Sequence, residues 1–400
     1  VTTRLYQIDP YQTTFESTVL RRFPEGEKIG IVLAETCFYP TSGGQHADRG
    51  VLGGVPVEDV RLAGDEIVHV VREDPVGDRL TGSIDWARRF DHMQQHSGQH
   101  VLSQSFLRVL GLNTVSSHLG TEVSTIELPA EKISASDLRR VEDAANEIVF
   151  ECRPLRVVPM TSDEARERGI RRLPDHGGVL RIIEVEDYDL SACGGTHCRS
   201  TGEIGLIKIG GTERIRKQTR VGFLCGWRAL RDYRNRWDWL EDASRRLGRR
   251  VSDLPEEVKR LVEEGGRQQK QAARLERDLL EYRAKDLLES AKALGNVRIV
   301  HHMMDDVSPE GLATLAGLLA ERSNVVGLLG ARTEKGHLVA ARSENVGLDL
   351  GVILKKVLER RSGRGGGRAS FARGGTDPRE VEPALRDLLE AVEATLRSET

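Results

Sequence analysis

Two short segments, far apart in the chain, place the tightest restriction on how it can fold. The first is His96-Ser97-Gly98-Gln99-His100. On a helix, an i, i+4 spacing puts both imidazoles on one face, one turn apart. The second is Cys193-Gly194-Gly195-Thr196-His197-Cys198, whose paired glycines permit a tight turn that aims a thiolate and an imidazole the same way. His96, His100, Cys193 and His197 together offer three nitrogens and one sulfur, a set that suits tetrahedral Zn2+. Any fold that uses them must bring a helix against a distant glycine turn. Each half alone reads more readily as packing than as metal binding, and four protein ligands can also close a purely structural site. Ser97 stands where metalloprotease motifs carry their glutamate, so that chemistry has no occupant. His92, one turn before His96, is a candidate outer partner or a packed ring, and Cys198 is expected to be a packed thiol.

The rest of the sequence is consistent with a multi-domain α+β protein. With 400 residues the chain is long enough for two to four cores. Charged residues make up 30% and no long apolar run occurs, so a cytoplasmic protein is expected rather than a membrane one. Five scattered cysteines argue for metal binding or burial over a disulfide framework. The net charge of -3 is unevenly distributed. Residues 210–250 carry twelve Arg/Lys against five acids, and residues 355–373 carry seven against one.

Periodicity and turn chemistry divide the chain into four segments. Residues 1–85 alternate as short strands with Gly-rich turns, as in a small antiparallel barrel or sheet. Residues 86–226 mix a helix over Asp91 to Leu110, ending at Gly111, with strands near Thr121 to Leu128, Val179 to Glu186 and Glu203 to Ile209. A second helix, Ser136 to Glu151, has Ser134 or Ser136 as its cap. Residues 227–295 form a charge-dense helical arm with a weak heptad. Residues 296–400 alternate strand and helix as a separate α/β domain, with Gly363 to Gly375 as a glycine-rich loop and a last helix from Pro378 to Arg397.

At this point several motifs converge on one family. Asp91-His92-Met93-Gln94-Gln95-His96-Ser97-Gly98-Gln99-His100-Val101-Leu102-Ser103, with Cys193 to His197 and Thr201-Gly202-Glu203-Ile204-Gly205, resembles the editing domain of alanyl-tRNA synthetase and its stand-alone AlaX-type relatives. Phe38-Tyr39-Pro40-Thr41-Ser42-Gly43-Gly44-Gln45-His46-Ala47-Asp48-Arg49-Gly50 resembles the glycine-rich signature of the barrel that precedes it. Gly363 to Gly375 resembles the glycine-rich segment of the C-terminal domain shared with DHH-type phosphoesterases, although relatives usually carry Gln at the position of Arg373.

The resemblance implies an N-terminal β-barrel, a zinc-binding editing domain, a helical arm and a C-terminal α/β domain. It implies zinc-dependent deacylation of mischarged alanine tRNA carrying serine, and also glycine, with His96, His100, Cys193 and His197 as metal ligands and catalytic centre. With the motifs starting so early and no Gly-x-x-x-x-Gly-Lys-Ser/Thr phosphate loop, no aminoacylation is expected. Candidates for contact with the aminoacylated end are Ser116, Ser117, His118 and Thr196, together with Ser42, Gly43, Gly44 and Gln45, which have an equally good reading as a barrel turn. Arg214, Arg216, Lys217 and Arg220, and in the tail Arg364, Arg368 and Arg373, are candidates for tRNA phosphates, against the ordinary alternative of solvated faces. The tail is alternatively a homodimer contact. Two competing functions stay open: a non-catalytic tRNA-binding module with structural zinc, and an editing enzyme for threonine tRNA.

Overall fold

The computed structural model describes residues 1–170, 178–305 and 307–398. The chain separates into two compact units, Val1–Arg246 and Leu247–Thr400. Among the described residues no helix is long and apolar enough to cross a membrane.

The first unit begins with six strands that close into a barrel in the order Thr14–Glu25, Lys28–Leu33, Glu66–Val71, Val55–Ala63, Gly50–Leu52 and Arg79–Ile84. Alternating apolar positions fill it, with Phe15, Ile31, Leu33, Phe38, Leu52, Val60, Ile67 and Leu80 buried together. Closure removes the sheet edges that a small β unit would otherwise expose. One polar ring sits inside: His69 lies against the Ile31 carbonyl through Nδ1 (3.1 Å) and against Thr36 Oγ1 through Nε2 (2.8 Å). Burial pushes its pKa down to about 4, so the ring is neutral at pH 7.

A 25-residue helix, Trp86–Leu110, follows the barrel directly. Asp85 caps its start by accepting from the Arg88 N–H, and Gly111 ends it in the left-handed region at φ 70°. Three kinds of contact fix its position. Met93, Val101, Leu102 and Phe106 enter an apolar core with Ile126, Leu128, Val141, Val221 and Phe223. Gln95 bonds both the N–H and the C=O of Cys225, and Gln94 bonds the Glu203 carbonyl. Gly98 permits the close approach, because a Cβ there would lie 2.2 Å from Cys225 Sγ. The helix interior therefore accepts a glycine despite its cost of about 1 kcal/mol relative to alanine.

The third contact is a fully buried ion pair between Arg89 on this helix and Asp48 beside the barrel. Arg89 also donates to the carbonyls of Pro10 (2.8 Å) and Cys37 (2.5 Å), while Asp48 accepts from the Tyr39 N–H (2.7 Å). Every group in the pair is thus satisfied, the condition under which a buried ion pair is tolerated.

Around the helix stand two antiparallel sheets. One runs Ile207–Ile215, Gln218–Cys225, Ser124–Leu128, Ser116–His118; the other runs Leu155–Thr161, Val179–Val185, Asp189–Ala192. The helix Ala135–Phe150 packs beside them, capped by Ser134 rather than Ser136.

The second unit holds the long helix Leu254–Glu289, introduced by Pro255, and a six-stranded sheet. The strands run Lys292–Leu294, Val297–Met304, Val325–Arg332, Gly336–Arg342, Phe371–Thr376, Arg364–Arg368, with a single parallel pair between the second and third. Helices Pro309–Ala320, Leu350–Arg360 and Val381–Ser398 cover it. The glycine-rich stretch expected as a loop is instead an antiparallel hairpin, Arg364–Arg368 with Phe371–Thr376. Glycines usually weaken strands, but here they make room: a Cβ at Gly365 or Gly374 would lie 2.5 or 2.2 Å from Leu358 Cδ1. The helix lies flush on bare backbone.

The Arg89–Asp48 pair gives a direct test. Asp48→Ala leaves a buried guanidinium unpaired and is expected to cost roughly 3–5 kcal/mol in urea unfolding. A loss below about 1 kcal/mol, the range of exposed pairs, would show that the pair does not hold the helix to the barrel.

Candidate metal centre and adjoining cleft

The helix delivers His96 and His100 to one face, and the turn after the Asp189–Ala192 strand delivers Cys193 and His197 opposite them. Their ligand atoms all lie within 4.8 Å of one another, and among the described residues this is the one His/Cys/Asp/Glu group that could hold a metal ion. Cys193 Sγ is 3.3 Å from His96 Nε2 and 3.3 Å from His197 Nε2. Tetrahedral bonds of about 2.05 Å to nitrogen and 2.3 Å to sulfur imply a sulfur–nitrogen separation of roughly 3.5 Å, so these two separations suit zinc.

Each imidazole is held from behind. His96 Nδ1 bonds Gln45 Oε1 (2.9 Å), His197 Nδ1 meets Ser97 Oγ (3.2 Å) and His100 Nδ1 faces Asp189 Oδ2 (3.4 Å). Those bonds leave the Nε2 atoms for the centre, the pattern by which outer partners select tautomer and orientation. Gln45 donates its amide to Thr196 Oγ1 (2.8 Å). Ser97 accepts from the Cys198 N–H (3.0 Å), and Arg181 donates to the carbonyls of Cys193 and Gly195. Gly195 is sterically required, since a Cβ there would meet His96 Cε1 at 2.2 Å and Gln45 Oε1 at 3.1 Å.

The electrostatics favour a thiolate. Burial alone would push the Cys193 thiol up, but His96, His197 and hydrogen bonds from His100 and His197 hold it well below its usual value. Burial and the neighbouring His96 push His197 down to about 3. At His100 burial opposes charge, yet Asp189 and Cys193 outweigh it and the ring rises to about 10. Cys198 behaves as the expected packed thiol: it is buried, and burial pushes it up to about 12. His92 is buried as well, and its Nδ1 has no hydrogen-bond partner among the described residues.

A cleft of about 760 Å³ is lined by His100, one member of the cluster, and by its partner Asp189. Gln99, Ser103, Thr114, Ser117 and Tyr188 line it. Gln99 Nε2 and Thr114 Oγ1 both donate to Ser103 Oγ, at 2.9 and 2.8 Å. Of the strand residues singled out from sequence, Ser117 borders the cleft, Ser116 bonds Glu127, and His118 is exposed with its ring 6.0 Å from His46. Gly43 and Gly44 make a turn at φ 55° and 83° with Ser42 exposed. Gln45 and Thr196 are buried and bonded to each other, and Gln45 also bonds His96. Neither Asp189 nor the bond of Ser97 to His197 has a signal in the sequence, since an acid four residues before Cys193 and a serine beside His96 have no spacing signature of their own.

The basic candidates fall on two hairpins. Arg214 pairs with Glu131, and Arg220 with Glu127 and Glu213, while Arg216 and Lys217 are exposed at the turn. In the second unit Arg364, Arg368 and Arg373 are all exposed on the glycine hairpin. Arg364 and Arg373 line a separate cleft of about 330 Å³ with His337.

The chain is similar to known proteins in both of its units. Residues 180–220, which include Cys193 and His197, match the threonyl and alanyl tRNA synthetase second additional domain, and residues 296–398 match the DHHA1 domain. The alanyl-tRNA editing protein AlaX-L of Pyrococcus horikoshii is 29% identical over 399 residues, covering 95% of this chain and 96% of that protein. The alanine–tRNA ligase of Pyrococcus abyssi is 33% identical over 388 residues, 93% of this chain and 42% of the ligase. The chain thus spans less than half the length of the ligases it matches. The solved C-Ala domain of Aquifex aeolicus alanyl-tRNA synthetase covers 26% of this chain and 97% of that domain at 26% identity, with a TM-score of 0.24.

The crowding at Gly195 is open to test. Gly195→Ala is expected to displace His96 or Gln45 and to weaken zinc binding by about 10–100-fold, as loss of an outer partner does, measured by competition with a chromogenic chelator. Unchanged affinity would mean that the turn does not set the position of His96.

Proposed function

We propose, for a chain homologous over nearly its whole length to the alanyl-tRNA editing protein AlaX-L, that it hydrolyses the ester of mischarged alanine tRNA, with serine as the principal wrong amino acid and glycine as a second. Homology supports alanyl-tRNA editing as the broad activity. The observation that carries the finer reading is the open cleft ending at His100, on a cluster of three imidazoles and one thiolate. A structural zinc site would need no such opening, so the cleft favours an enzyme over a non-catalytic binding module.

The residues present fit zinc by donor type, by separation and by their outer hydrogen bonds. When bound, zinc would supply positive charge for polarising an ester carbonyl or a water. The remaining work falls to the protein. His96, His100, Cys193 and His197 would hold the ion, while Gln45, Asp189 and Ser97 fix the three rings. The aminoacyl ester is already activated, so the cleft need only hold its carbonyl and a water in attack geometry.

Discrimination against alanine requires a site that uses the serine hydroxyl. Ser117 and the Gln99–Ser103–Thr114 hydrogen-bonded group are the polar groups of the cleft wall suited to that task. Binding of the tRNA body is assigned to Arg216 and Lys217, with Arg214 and Arg220 beside them, and to Arg364, Arg368 and Arg373 on the glycine hairpin.

The decisive assay offers the protein Ser-tRNA(Ala), Gly-tRNA(Ala), Ala-tRNA(Ala) and Ser-tRNA(Thr). Ser-tRNA(Ala) is expected to be deacylated fastest, and Cys193→Ala to lower that rate at least about 100-fold together with zinc content. Undiminished turnover in the variant would remove the cluster from the chemistry. A preference for Ser-tRNA(Thr) would move the assignment to threonine tRNA.

A further inference from the structure

A half-buried cation lies beside the metal cluster with no carboxylate to balance it. Arg181 belongs to the strand Val179–Val185, and among the described residues it forms no ion pair with an Asp or Glu. Its Nε is buried without a hydrogen-bond partner, a costly state for a polar atom and more so for one in a charged group. Burial works against the charge, and the Cys193 thiolate is the foremost group that favours it, followed by Tyr39 and Tyr6. The two phenols offer no negative charge at pH 7, since burial pushes Tyr6 up to about 12 and raises Tyr39 as well. The thiolate of the cluster is therefore the anion that balances Arg181.

The same residue builds the turn that carries the thiolate. Its carbonyl accepts from the Cys193 N–H (3.1 Å), and its Nη1 donates to the carbonyls of Cys193 (2.8 Å) and Gly195 (3.0 Å). One residue thus spans Cys193 to Gly195 with three hydrogen bonds. Within that span the Gly195 N–H donates to Cys193 Sγ (3.4 Å), and Gly195 has no room for a Cβ against His96. Arg181 has no hydrogen bond to the sulfur itself, so it acts on Cys193 through the turn and through the field of its charge. We infer that Arg181 is a positioning residue of the metal centre, which fixes the turn that presents Cys193 Sγ and opposes the charge of the thiolate. The inference rests on the editing reading above and deepens it. The thiolate is the one anionic ligand of the four, and a cation beside it would leave a bound zinc ion more electrophilic toward an ester carbonyl.

The test reads the metal as well as turnover. Cobalt(II) is loaded into the full chain as wild type, Arg181→Gln, Arg181→Met and Arg181→Lys, and the near-ultraviolet charge-transfer band from thiolate to cobalt is recorded. Removing the cation raises the energy of the sulfur electrons, so the two neutral variants are expected to shift the band to longer wavelength. The lysine variant keeps the charge and is expected to hold the band at the wild-type position. With zinc bound, the neutral variants are expected to lose roughly tenfold in kcat on Ser-tRNA(Ala) with KM little changed, the size of effect that loss of an outer partner produces. Arg181→Gln keeps a donor for the turn and Arg181→Met keeps an unbranched stem, so either serves if the other fails to fold. An unshifted band in a folded neutral variant, an equal shift in the lysine variant, or a wild type without a thiolate band would overturn the role. Deacylation by wild type together with an unshifted band would remove this role and leave the editing reading standing. A shifted band in a protein that deacylates no Ser-tRNA(Ala) would remove the editing reading and leave Arg181 its role at the metal.

Discussion

The candidate metal centre rests on the buried contact between Arg89 and Asp48. Two of the elements that build the centre have no covalent reason to meet at a fixed angle: the barrel supplies Gln45, and the helix supplies His96 and His100. Arg89 reaches from the helix to Asp48 and to the carbonyls of Pro10 and Cys37, so one guanidinium locks three barrel-side segments at once. The five donors of arginine suit that task in a way that lysine would not. With the helix so placed, the Gly43–Gly44 turn aims the Gln45 amide at His96 Nδ1.

From that anchoring the chemistry of the cluster follows. Three imidazoles are each restrained at Nδ1 by a different class of acceptor or partner: an amide, a hydroxyl and a carboxylate. The carboxylate is the one charged partner, and it belongs to His100, the ring at the mouth of the cleft. Rings fixed in this way cost little reorganisation when an ion binds, which is how outer contacts raise metal affinity. The glycine turn completes the arrangement through the absence of a side chain at Gly195. The same economy recurs in the second unit, where bare backbone at Gly365 and Gly374 lets Leu358 sit against the hairpin.

Much of this was legible in the residues, and the exceptions have physical causes. The i, i+4 histidines and the Cys-Gly-Gly-Thr-His turn pointed to the four residues that the fold brings together, because metal geometry imposes short, fixed spacings. Strands such as Val297–Met304 and helices such as Trp86–Leu110 followed from periodicity and end signals. Asp189 and Ser97 were not legible, since their partners are set by the packing of distant segments. Gln45 read as a turn residue or an RNA contact, and only the closure of the helix on the barrel gives its amide to His96. The glycine hairpin read as a loop because glycine signals turns locally. Its strand character comes from the pairing of residues 364–368 with 371–376 beneath a helix.

X-ray absorption at the zinc edge of the reconstituted protein tests the central claim most directly. The account predicts a first shell of one sulfur at about 2.3 Å and three imidazole nitrogens at about 2.0–2.1 Å. A shell without sulfur, or a protein that retains no zinc after desalting, would contradict it.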